Sequence, residues 1–468
     1  LKALAQYLSA RKNELYELSY LTGATKSDSW IDIDGGIGTT FVFASKGRRE
    51  MPDAHVYLDG DVEMLSRHGS FVGQHVCTPL QGVAVHINAF NFPVWGMLEK
   101  LAPTLLAGMP AIVKSATVTG YLTEAAFRMI IESGLLPDGA VQLVSGRLGQ
   151  LLDMLGPQDA VSFTGSAVTG VMLRGTPNLL ERSVRFSAEQ DSLNATILGP
   201  DVMVGDPEFD LFIKEAAGEI TAKAGQKCTA VRRILVPEAL RQPVAEALRA
   251  ALDDVAIGDP RLKEVGMGAL ASGGQKQDVL AKCEMFKGEA RCIIGGEAPR
   301  LTGEGLAGGA FVAPTIFDCA DPDGATHLHE QEAFGPVACL MAYRELGHAA
   351  VLANRGGGAL VTSLVTRDRE VAHSLVAASA CHHGRLYFNN RDSMAEATGH
   401  GAPLPHMVHG GPGRAGGSEE LGGVRAVKHY MQRTALQGPP DLLSAAGETW
   451  LAGSATHQGP AHPFRRRF

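Results

Sequence analysis

Between residues 82 and 189, short apolar runs alternate with segments of helical periodicity. The apolar runs predict buried strands, namely GVAVHI (82–87), PAIVKS (110–115), AVQLVS (140–145), AVSFTG (160–165) and SVRFSAE (183–189). The periodic segments predict helices at 94–108, around the apolar stripe of 122–130, and at 148–155. Apolar strands joined by helical crossovers form a parallel sheet that is covered on both faces. The pattern therefore predicts a doubly wound α/β core of the nucleotide-binding type.

A second α/β pattern follows this core. It consists of predicted helices at 207–225 and 243–255 and predicted strands at 232–237, 359–366 and 384–390. Two further segments are predicted outside these patterns: a hairpin at 64–81 and a Gly-rich loop at 409–417.

Both ends of the chain carry recognisable patterns. An amphipathic helix is predicted from Leu1 and stops at Thr22-Gly23. Because the chain opens inside this pattern, on Leu rather than Met, we expect that further residues precede it. The ending PFRRRF is predicted to be a solvated tail.

Composition excludes several classes of function. With 468 residues, of which 45% are apolar and 20% charged, the chain is typical of a globular protein of two to three domains. Its net charge of -8 gives no general attraction to nucleic acid or to an anionic membrane, and no apolar run is long enough for a spanning helix. The seven Cys include no CxxC pair, which argues against a disulfide framework and against a zinc site. We therefore expect a protein of a reducing compartment, the cytoplasm, with no bound metal.

Cys228 is a candidate nucleophile. It follows Ala-Gly-Gln-Lys at the end of a helical stretch that is broken by Gly225. Backbone amides at such a turn, with the cation of Lys227 beside them, are expected to lower a thiol pKa. Most free cysteines are instead small buried hydrophobic residues. The motif alone leaves both interpretations of Cys228 open, and the second is kept for the other six: Cys77, Cys283, Cys292, Cys319, Cys339 and Cys381.

Two further residues suit acyl chemistry. Glu189 ends a predicted strand, where a partly desolvated carboxylate would have a raised pKa and could activate water. The alternative is a helix-start or solvated carboxylate, which fits the neighbouring Asp191 better. Asn91 follows the first strand of the core, and its amide suits an oxyanion, together with the Cys228 backbone N–H. The alternative for Asn91 is an Asx turn before Pro93.

Candidate nucleotide contacts lie in two motifs. Residues 163–170 follow a strand and open a helix, so their amides could meet a pyrophosphate, although the G-x-x-x-x-G spacing fits an ordinary turn equally well. Glu332 and Phe334 could fix a ribose and one face of a nicotinamide, or could simply be a surface residue and a core residue.

The motifs occur together and in one order, which is more specific than any of them alone. They are Asn-Phe-Pro (91–93), Val-Lys-Ser-Ala (113–116), Phe-Thr-Gly-Ser (163–166), Ala-Glu-Gln-Asp (188–191), Gly-Gln-Lys-Cys (225–228), Glu-Ala-Phe-Gly-Pro-Val (332–337) and Gly-Arg-Leu-Tyr-Phe-Asn-Asn (384–390). This ordered set resembles the aldehyde dehydrogenase superfamily over about residues 1–438.

The resemblance implies roles for individual residues. Cys228 is the implied nucleophile, Glu189 the general base and Asn91 the oxyanion donor. The implied cofactor contacts are Lys114, Ser115, Thr117, Gly165, Ser166, Glu332 and Phe334. The implied reaction passes from a thiohemiacetal, which gives a hydride to a nicotinamide, to a thioester that is hydrolysed by water.

Two departures from the common pattern refine these expectations. Members of the family that prefer NAD often carry Glu three positions after the strand Lys, where this chain has Thr117. The missing carboxylate removes repulsion against a 2′-phosphate, so we expect NADP. The segment 188–194 (AEQDSLN) and the ending His462-Pro-Phe-Arg resemble the branch that oxidises CoA-bound semialdehydes from aerobic degradation of aromatic compounds.

The resemblance also implies an architecture. We expect a Rossmann-like cofactor domain (1–61 and 82–189), an α/β catalytic domain (190–429), a small β oligomerisation domain (62–81 and 430–445) and a tail (446–468). An exposed hairpin edge predicts a homodimer. Two alternatives stay open: an enzyme that transfers the acyl group to CoA, and a catalytically silent scaffold. Glu189 favours hydrolysis by water, since transfer to CoA would need no such base.

Overall fold

A computed structural model describes residues 1–417 and 422–455. The predicted tail PFRRRF lies outside the described residues. The strands are β1 Tyr57–Leu58, β2 Glu63–Met64, β3 Val72–Pro79, β4 Ala84–Ile87, β5 Ala111–Lys114, β6 Val141–Val144, β7 Ala160–Thr164, β8 Arg185–Glu189, β9 Ala195–Leu198, β10 Arg233–Pro237, β11 Ile257–Gly258, β12 Arg291–Ile294, β13 Leu301–Thr302, β14 Thr315–Cys319, β15 Val337–Tyr343, β16 Ala359–Val365, β17 His383–Asn389 and β18 Met431–Gly438.

The α-helices alternate with these strands through most of the chain. They are α1 Lys2–Ser19, α2 Lys26–Glu50, α3 Pro93–Leu106, α4 Gly120–Glu132, α5 Ala167–Arg174, α6 Pro177–Glu181, α7 Pro207–Thr221, α8 Arg241–Asp253, α9 Gly273–Phe286, α10 His327–Glu330, α11 Leu346–Asn354, α12 Arg369–Ser379, α13 Gly423–His429 and α14 Pro440–Ala446. None of the helices within the described residues is long and apolar enough to cross a membrane.

The first sheet has five parallel strands in the order β6-β5-β4-β7-β8. Alternate residues of β4 enter different cores, because successive side chains of a strand point to opposite faces. Ala84 packs with α1–α4, whereas Val85 and Ile87 pack with α6 and the segment before β7. The predicted doubly wound core is confirmed, and each of its five strands lies within two residues of its predicted ends.

The second sheet has seven strands in the order β12-β14-β15-β10-β9-β16-β17, parallel except for β12. It too is covered on both faces, with Leu235 in one core and Ile234 and Val236 in the other. The predicted strands 232–237, 359–366 and 384–390 correspond to β10, β16 and β17.

A small antiparallel sheet connects distant parts of the chain. Strand β3 pairs with β1, β2 and β18, and the predicted hairpin is formed by β2 and β3. Helix α13 lies just before β18, yet its residues Ala426 and Val427 pack into the core of the first sheet. The predicted domain boundary at 429 therefore falls between α13 and β18. These two elements follow each other in the chain, and Met431 of β18 packs in the same core as α13.

Two predicted helices are wrong in extent. Residues 148–155 form only a short 3-10 turn, Leu151–Met154, because Gln150 provides no side-chain cap and the backbone is already extended at Leu155. The helix predicted at 207–225 ends at Thr221, since the next residues turn into the left-handed backbone region.

Candidate active site

Three polar side chains from separate parts of the chain converge at one point. Glu189 ends β8, Cys228 lies in the loop before β10, and His409 opens the Gly-rich loop after β17. A carboxylate oxygen of Glu189, Cys228 Sγ and a ring nitrogen of His409 all lie within 4.8 Å of one another. Glu189 Oε2 is 2.8 Å from His409 Nε2, and their side chains are only 4% and 6% exposed. The carboxyl end of a parallel strand therefore presents its carboxylate to the thiol.

The loop that carries Cys228 has an unusual backbone. Lys223, Ala224 and Gly225 have φ values of 52°, 52° and 69°, all in the left-handed region. At Gly225 a Cβ atom would lie 2.1 Å from the carbonyl oxygen of Gly335, so this position requires glycine. These residues turn the chain sharply after α7 and place Gly225 against Gly335, in the segment before β15.

Hydrogen bonds hold the backbone around the thiol. Asn194 Nδ2 donates to the carbonyl oxygens of Cys228, at 2.8 Å, and Ala230, at 2.9 Å. Thr229 Oγ1 donates to the carbonyl oxygen of Gly401 at 2.8 Å. All of these donors are buried, so the nucleophile loop is fixed from both sides.

The predicted lowering of the thiol pKa is wrong for this resting site. Burial raises the pKa of Cys228 well above its ordinary value, and the adjacent Glu189 carboxylate, which accepts a hydrogen bond from the thiol, raises it further. Lys227 does not compensate, because its Nζ lies 2.9 Å and 3.1 Å from the two carboxylate oxygens of Glu219. The cysteine therefore rests as a thiol beside a base.

The predicted rise in the pKa of Glu189 is also wrong, because the net shift is downward. Burial does act upward, but the charge and hydrogen bond of His409, the donating thiol of Cys228 and the charge of Lys100 outweigh it and lower the pKa to about 2. Glu189 is thus ionised at neutral pH. This is the protonation state in which a carboxylate can accept a proton.

Asn91 is buried in the loop between β4 and α3, with 7% of its surface exposed. The helix that follows is held at its N-terminus by Asp32 of α2, whose Oδ1 accepts from the amides of Val94, at 3.0 Å, and Trp95, at 2.7 Å. Carboxylates suit this position because the first amides of a helix have no partner within it. Phe90 in the same loop packs edge-to-face on Phe334, with ring centroids 5.8 Å apart.

A narrow cleft with a cavity volume of about 10 Å³, enough for about one water molecule, lies next to His409. Most of its lining is apolar, with two acidic or basic groups, and consists of Thr39, Phe43, Trp95, Glu99, Pro403, Leu404, Pro405 and His409. Leu404 is 40% exposed, so this side of the cleft lies at the molecular surface.

The predicted cofactor contacts on the first sheet lie along one edge. Lys114 ends β5, the side chain of Ser115 is buried, and Thr117 is exposed at the start of the turn Thr117–Thr119. The Gly165 amide donates to the Glu189 carbonyl oxygen at 3.1 Å, and Ser166 Oγ caps α5 by accepting from the Thr169 amide at 3.3 Å. This edge of the sheet is therefore hydrogen-bonded to the backbone of Glu189.

Two features of this edge fit a bound nucleotide. At the ends of the neighbouring strands β4 and β7, the side chains of Asn88 and Thr164 carry buried polar atoms with no hydrogen-bond partner among the described residues. Helix α5 exposes an apolar face at Val168, Val171 and Met172. Unpaired polar groups beside an apolar surface suit a ligand that is part sugar and part flat base.

The structure places Glu332 in a buried ion pair. Its Oε1 accepts from Arg232 Nε at 3.0 Å and its Oε2 from the Ser192 amide at 3.1 Å. Burial outweighs Arg232 and raises the pKa of Glu332 to about 7. The Arg232 guanidinium also lies 5.5 Å from the ring centroid of Phe334. A ribose that contacts Glu332 would share this carboxylate with Arg232 and the Ser192 amide, which already donate hydrogen bonds to it.

Sequence reasoning missed His409, Asn194 and Lys223. His409 stands at the head of the predicted Gly-rich loop, but no spacing along the chain connects it with Glu189. Asp191, in contrast, has the helix-start role expected of it, because its Oδ1 accepts from the Ala167 amide of α5 at 2.9 Å.

Comparison with known proteins agrees with this geometry. Residues 1–435 match the Aldehyde dehydrogenase family. The chain is 41% identical over 414 residues to 3,4-dehydroadipyl-CoA semialdehyde dehydrogenase of Aromatoleum evansii, covering 88% of this chain and 80% of that protein. It is 48% identical over 203 residues to Protein MaoC of Klebsiella aerogenes, covering 43% and 59% of the two chains.

The fold is also found among solved structures. Betaine aldehyde dehydrogenase from Staphylococcus aureus, in complex with NAD+, matches with a TM-score of 0.80 at 22% identity, over 93% of this chain and 83% of that chain. An NAD-dependent aldehyde dehydrogenase from Sinorhizobium meliloti matches with a TM-score of 0.80 at 23% identity, over 94% and 81%. The predicted fold class and family resemblance are confirmed: the chain belongs to the aldehyde dehydrogenase family and is an aldehyde-oxidising enzyme.

Proposed function

We propose that this enzyme oxidises a CoA-linked aliphatic semialdehyde to its carboxylic acid with NADP, through a thioester on Cys228 that water hydrolyses. The observation that carries the proposal is the contact between a buried thiol and a buried, ionised carboxylate. A nucleophile with a base beside it is the arrangement that acyl transfer to water requires.

Cys228 supplies the bond to the aldehyde carbon. Its proton passes to Glu189, the group to which the thiol already donates a hydrogen bond. The oxygen of the former carbonyl then carries negative charge, for which Asn91 and the Cys228 amide are the proposed donors. Asn91 is buried, so its hydrogen bond to an oxyanion would form out of contact with bulk water.

Glu189 acts again in the second half of the reaction, after the thiol proton has left it for solvent. It accepts a proton from water as the water oxygen bonds to the thioester carbon. The C–S bond then breaks, and the Cys228 sulfur takes the proton from Glu189. The carboxylate is the reason to prefer water over CoA as the acceptor of the acyl group, because transfer to the thiol of CoA does not need a base that deprotonates water.

We propose that Lys114, Ser115, Thr117, Gly165, Ser166, Glu332 and Phe334 hold the nicotinamide cofactor, which when bound supplies a hydride acceptor. The unpaired polar groups of Asn88 and Thr164 support a nucleotide at this edge. The choice of NADP rests on Thr117, which is exposed and uncharged and so would not repel a 2′-phosphate.

The substrate is proposed from the relatives. The Aromatoleum evansii relative is named for 3,4-dehydroadipyl-CoA semialdehyde, and at 41% identity the same or a similar semialdehyde of aromatic degradation is proposed here.

The predicted domain roles are kept as part of this proposal. The first sheet would serve the cofactor and the second the substrate, in a cytoplasmic enzyme. The small sheet would serve assembly into a homodimer, because β18 pairs with β3 on one side only within the described residues.

The first experiment is steady-state oxidation of hexanal with NADP and then with NAD, followed by the absorbance of the reduced cofactor. We expect acid to form without added CoA, and faster turnover with NADP. C228A should abolish acid formation and leave binding of NADP unchanged, since only the nucleophile is lost.

Each other outcome has a distinct meaning. Faster turnover with NAD would overturn the argument from Thr117. A requirement for free CoA would favour the acyl-transfer alternative. If neither hexanal nor the CoA semialdehyde is oxidised with either cofactor, the silent-scaffold alternative holds.

A further inference from the structure

His409 pairs with Glu189, and within the cluster of Glu189, Cys228 and His409 it is the member that lines the cleft. Its Nε2 lies 2.8 Å from Glu189 Oε2. The same ring forms part of the cleft wall with Trp95 and Leu404. His409 therefore stands between the buried carboxylate and the cleft that reaches the surface at Leu404.

Buried carboxylates around the thiol each have a cation of their own. Glu219 pairs with Lys227 at 2.9 Å, and Glu99 pairs with Lys100 at 3.3 Å. Glu189 has only His409 at ion-pair distance among the described residues. A buried carboxylate without a partner is strongly unfavourable, so the imidazolium form of His409 is stabilised in the resting site.

The reaction proposed above leaves a proton in this buried site. A hydride leaves the substrate carbon and the thiol proton of Cys228 remains, so one proton must exit for each aldehyde oxidised. Glu189 receives that proton, and its side chain is only 4% exposed, with the His409 ring 2.8 Å away. Because the same ring lines the cleft, the imidazole connects the buried carboxylate with the cleft.

We propose that His409 carries this proton from Glu189 to the cleft, an inference that rests on the proposed oxidation of an aldehyde. In the step, the S–H bond of Cys228 breaks as its S–C bond forms, and the proton moves to the Glu189 carboxylate. The His409 imidazolium releases its own proton into the cleft and then takes the proton from Glu189. The site returns to an ionised carboxylate beside an imidazolium, with one proton lost to solvent.

The groups around the ring support this exchange. Burial lowers the pKa of His409, but the Glu189 carboxylate, through charge and hydrogen bond, and then Glu99 outweigh it and raise the pKa overall, while Arg385 acts downward. Lys100, next to Glu99, also acts on Glu189. The ring of Trp95 lies 5.8 Å from that of His409 and holds its plane.

The first test is chemical rescue. H409A opens a space at the wall of the cleft, and kcat for the oxidised aldehyde should fall about 100-fold while KM changes little. Added imidazole should raise kcat of H409A about tenfold, because a diffusible base can enter the space and carry the proton. A side chain with only a structural role would not be replaced by a small buffer molecule.

Matched controls separate this role from a general effect on folding. H348A removes another buried histidine that pairs with a carboxylate, Asp323 at 3.0 Å, and should leave both kcat and its response to imidazole unchanged. H409Q fills the space and cannot exchange a proton, so it should be slow and should not respond to imidazole. Normal kcat in H409A and H409Q, or a loss that imidazole and buffers of similar pKa cannot reverse, would overturn the proposal.

A second measurement does not depend on activity. The His409 ring resonance, identified by its loss in H409Q, should titrate above the ordinary histidine pKa in the native enzyme. In E189Q the pKa should fall by at least about one pH unit, because burial then acts without the carboxylate. An unchanged pKa in E189Q would contradict the contact on which the relay depends. If this titration behaves as expected and no aldehyde is oxidised, the proposed oxidation fails rather than the Glu189–His409 pair.

Discussion

At the scale of single residues, the active site depends on a carboxylate with two neighbours. Glu189 accepts a hydrogen bond from the Cys228 thiol and forms an ion pair with His409. The sequence indicated Glu189 and Cys228 because each lies in a recognisable motif. It could not indicate that burial and Glu189 raise the pKa of the thiol, or that His409 helps to lower that of the carboxylate, because both shifts come from residues that are distant in the chain.

E189Q removes the proposed proton acceptor of both halves of the reaction, and we expect hydrolysis of the thioester to be the step that it slows most. The amide cannot accept a proton from water, so hydrolysis should slow by a factor of about 10² to 10⁴. Intact mass spectrometry should then show an acyl group on the protein after reaction with aldehyde and NADP. The matched control is E215Q, a change at a partly buried carboxylate that hydrogen-bonds Asn389 and Tyr387 instead. Normal turnover in E189Q would exclude Glu189 as the base.

A substitution at Gly225 tests whether the backbone of the loop that carries Cys228 needs its turn at this position. G225A places a Cβ atom 2.1 Å from the Gly335 carbonyl oxygen, at a φ of 69°, and should lower both the melting temperature and acid formation. G134A is the control, because Gly134 has a φ of 60° with nothing within 4 Å of its Cβ position. It should cost only the left-handed strain of about 1–2 kcal/mol. Equal losses in the two variants would show that the contact with Gly335 has no consequence.

At the scale of elements, short helices depend on residues outside them. The four-residue helix α10 has its first amides bonded to Glu289, whose carboxylate accepts from Thr326, His327 and Leu328 at 3.1, 2.9 and 3.1 Å. Periodicity cannot predict so short a helix, because its stability comes from this cap rather than from its own sequence. Helix α10 leads directly into the segment with Glu332 and Phe334.

Because Glu289 caps α10, the stability of the fold depends on pH in the acid range. Burial acts to raise the pKa of Glu289, but the His327 and Leu328 amides and the His327 ring outweigh it and lower the pKa to about 2. Since the folded value lies below the ordinary one, the carboxylate stabilises the fold above pH 4.5 and that contribution disappears as the pH falls towards 2.

E289Q should therefore lower the free energy of unfolding by about 1–2 kcal/mol at pH 7. The difference from the native enzyme should shrink as the pH is lowered through the acid range in denaturant titrations. E284Q, at a side chain that is 70% exposed and pairs with Lys287, should show no such trend. A difference that is constant with pH would rule out the charge of Glu289 as its cause.

At the scale of the whole molecule, several strand edges are left without a neighbour in the described chain, and two of them belong to β17 and β18. Strand β17 ends the seven-stranded sheet and β18 ends the small sheet. Four successive side chains of β18, Gln432 to Ala435, are exposed. Unpaired backbone groups on exposed edges bind further strands, which supports the proposed homodimer.

Light scattering should give a particle of twice the chain mass of 49.4 kDa. A435P, which removes one amide from β18 and stiffens its edge, should shift the equilibrium towards the single chain at micromolar concentration. The paired control is a proline in an exposed loop, E304P, which should leave the mass unchanged. A native enzyme of 49.4 kDa at all concentrations would contradict the dimer.

The sequence by itself determined the five strands of the first sheet and the family, and it selected Cys228 and Glu189 as the proposed nucleophile and base. Nearly continuous apolar runs have few alternatives to buried parallel strands, and the ordered motifs are specific as a set. These properties are local, or add up along the chain, so they can be recognised without a structure.

Only the tertiary structure decided how the site is charged and which residues complete it. His409 joins Glu189, Lys227 is taken by Glu219, and Glu332 is bound by Arg232 because folding brings distant segments together. Ion pairing and burial act through distances in space, and these distances have no fixed relation to spacing along the chain. The same reason explains why the turn at 223–225 ends α7 early: the close approach to Gly335, which no local pattern records, requires it.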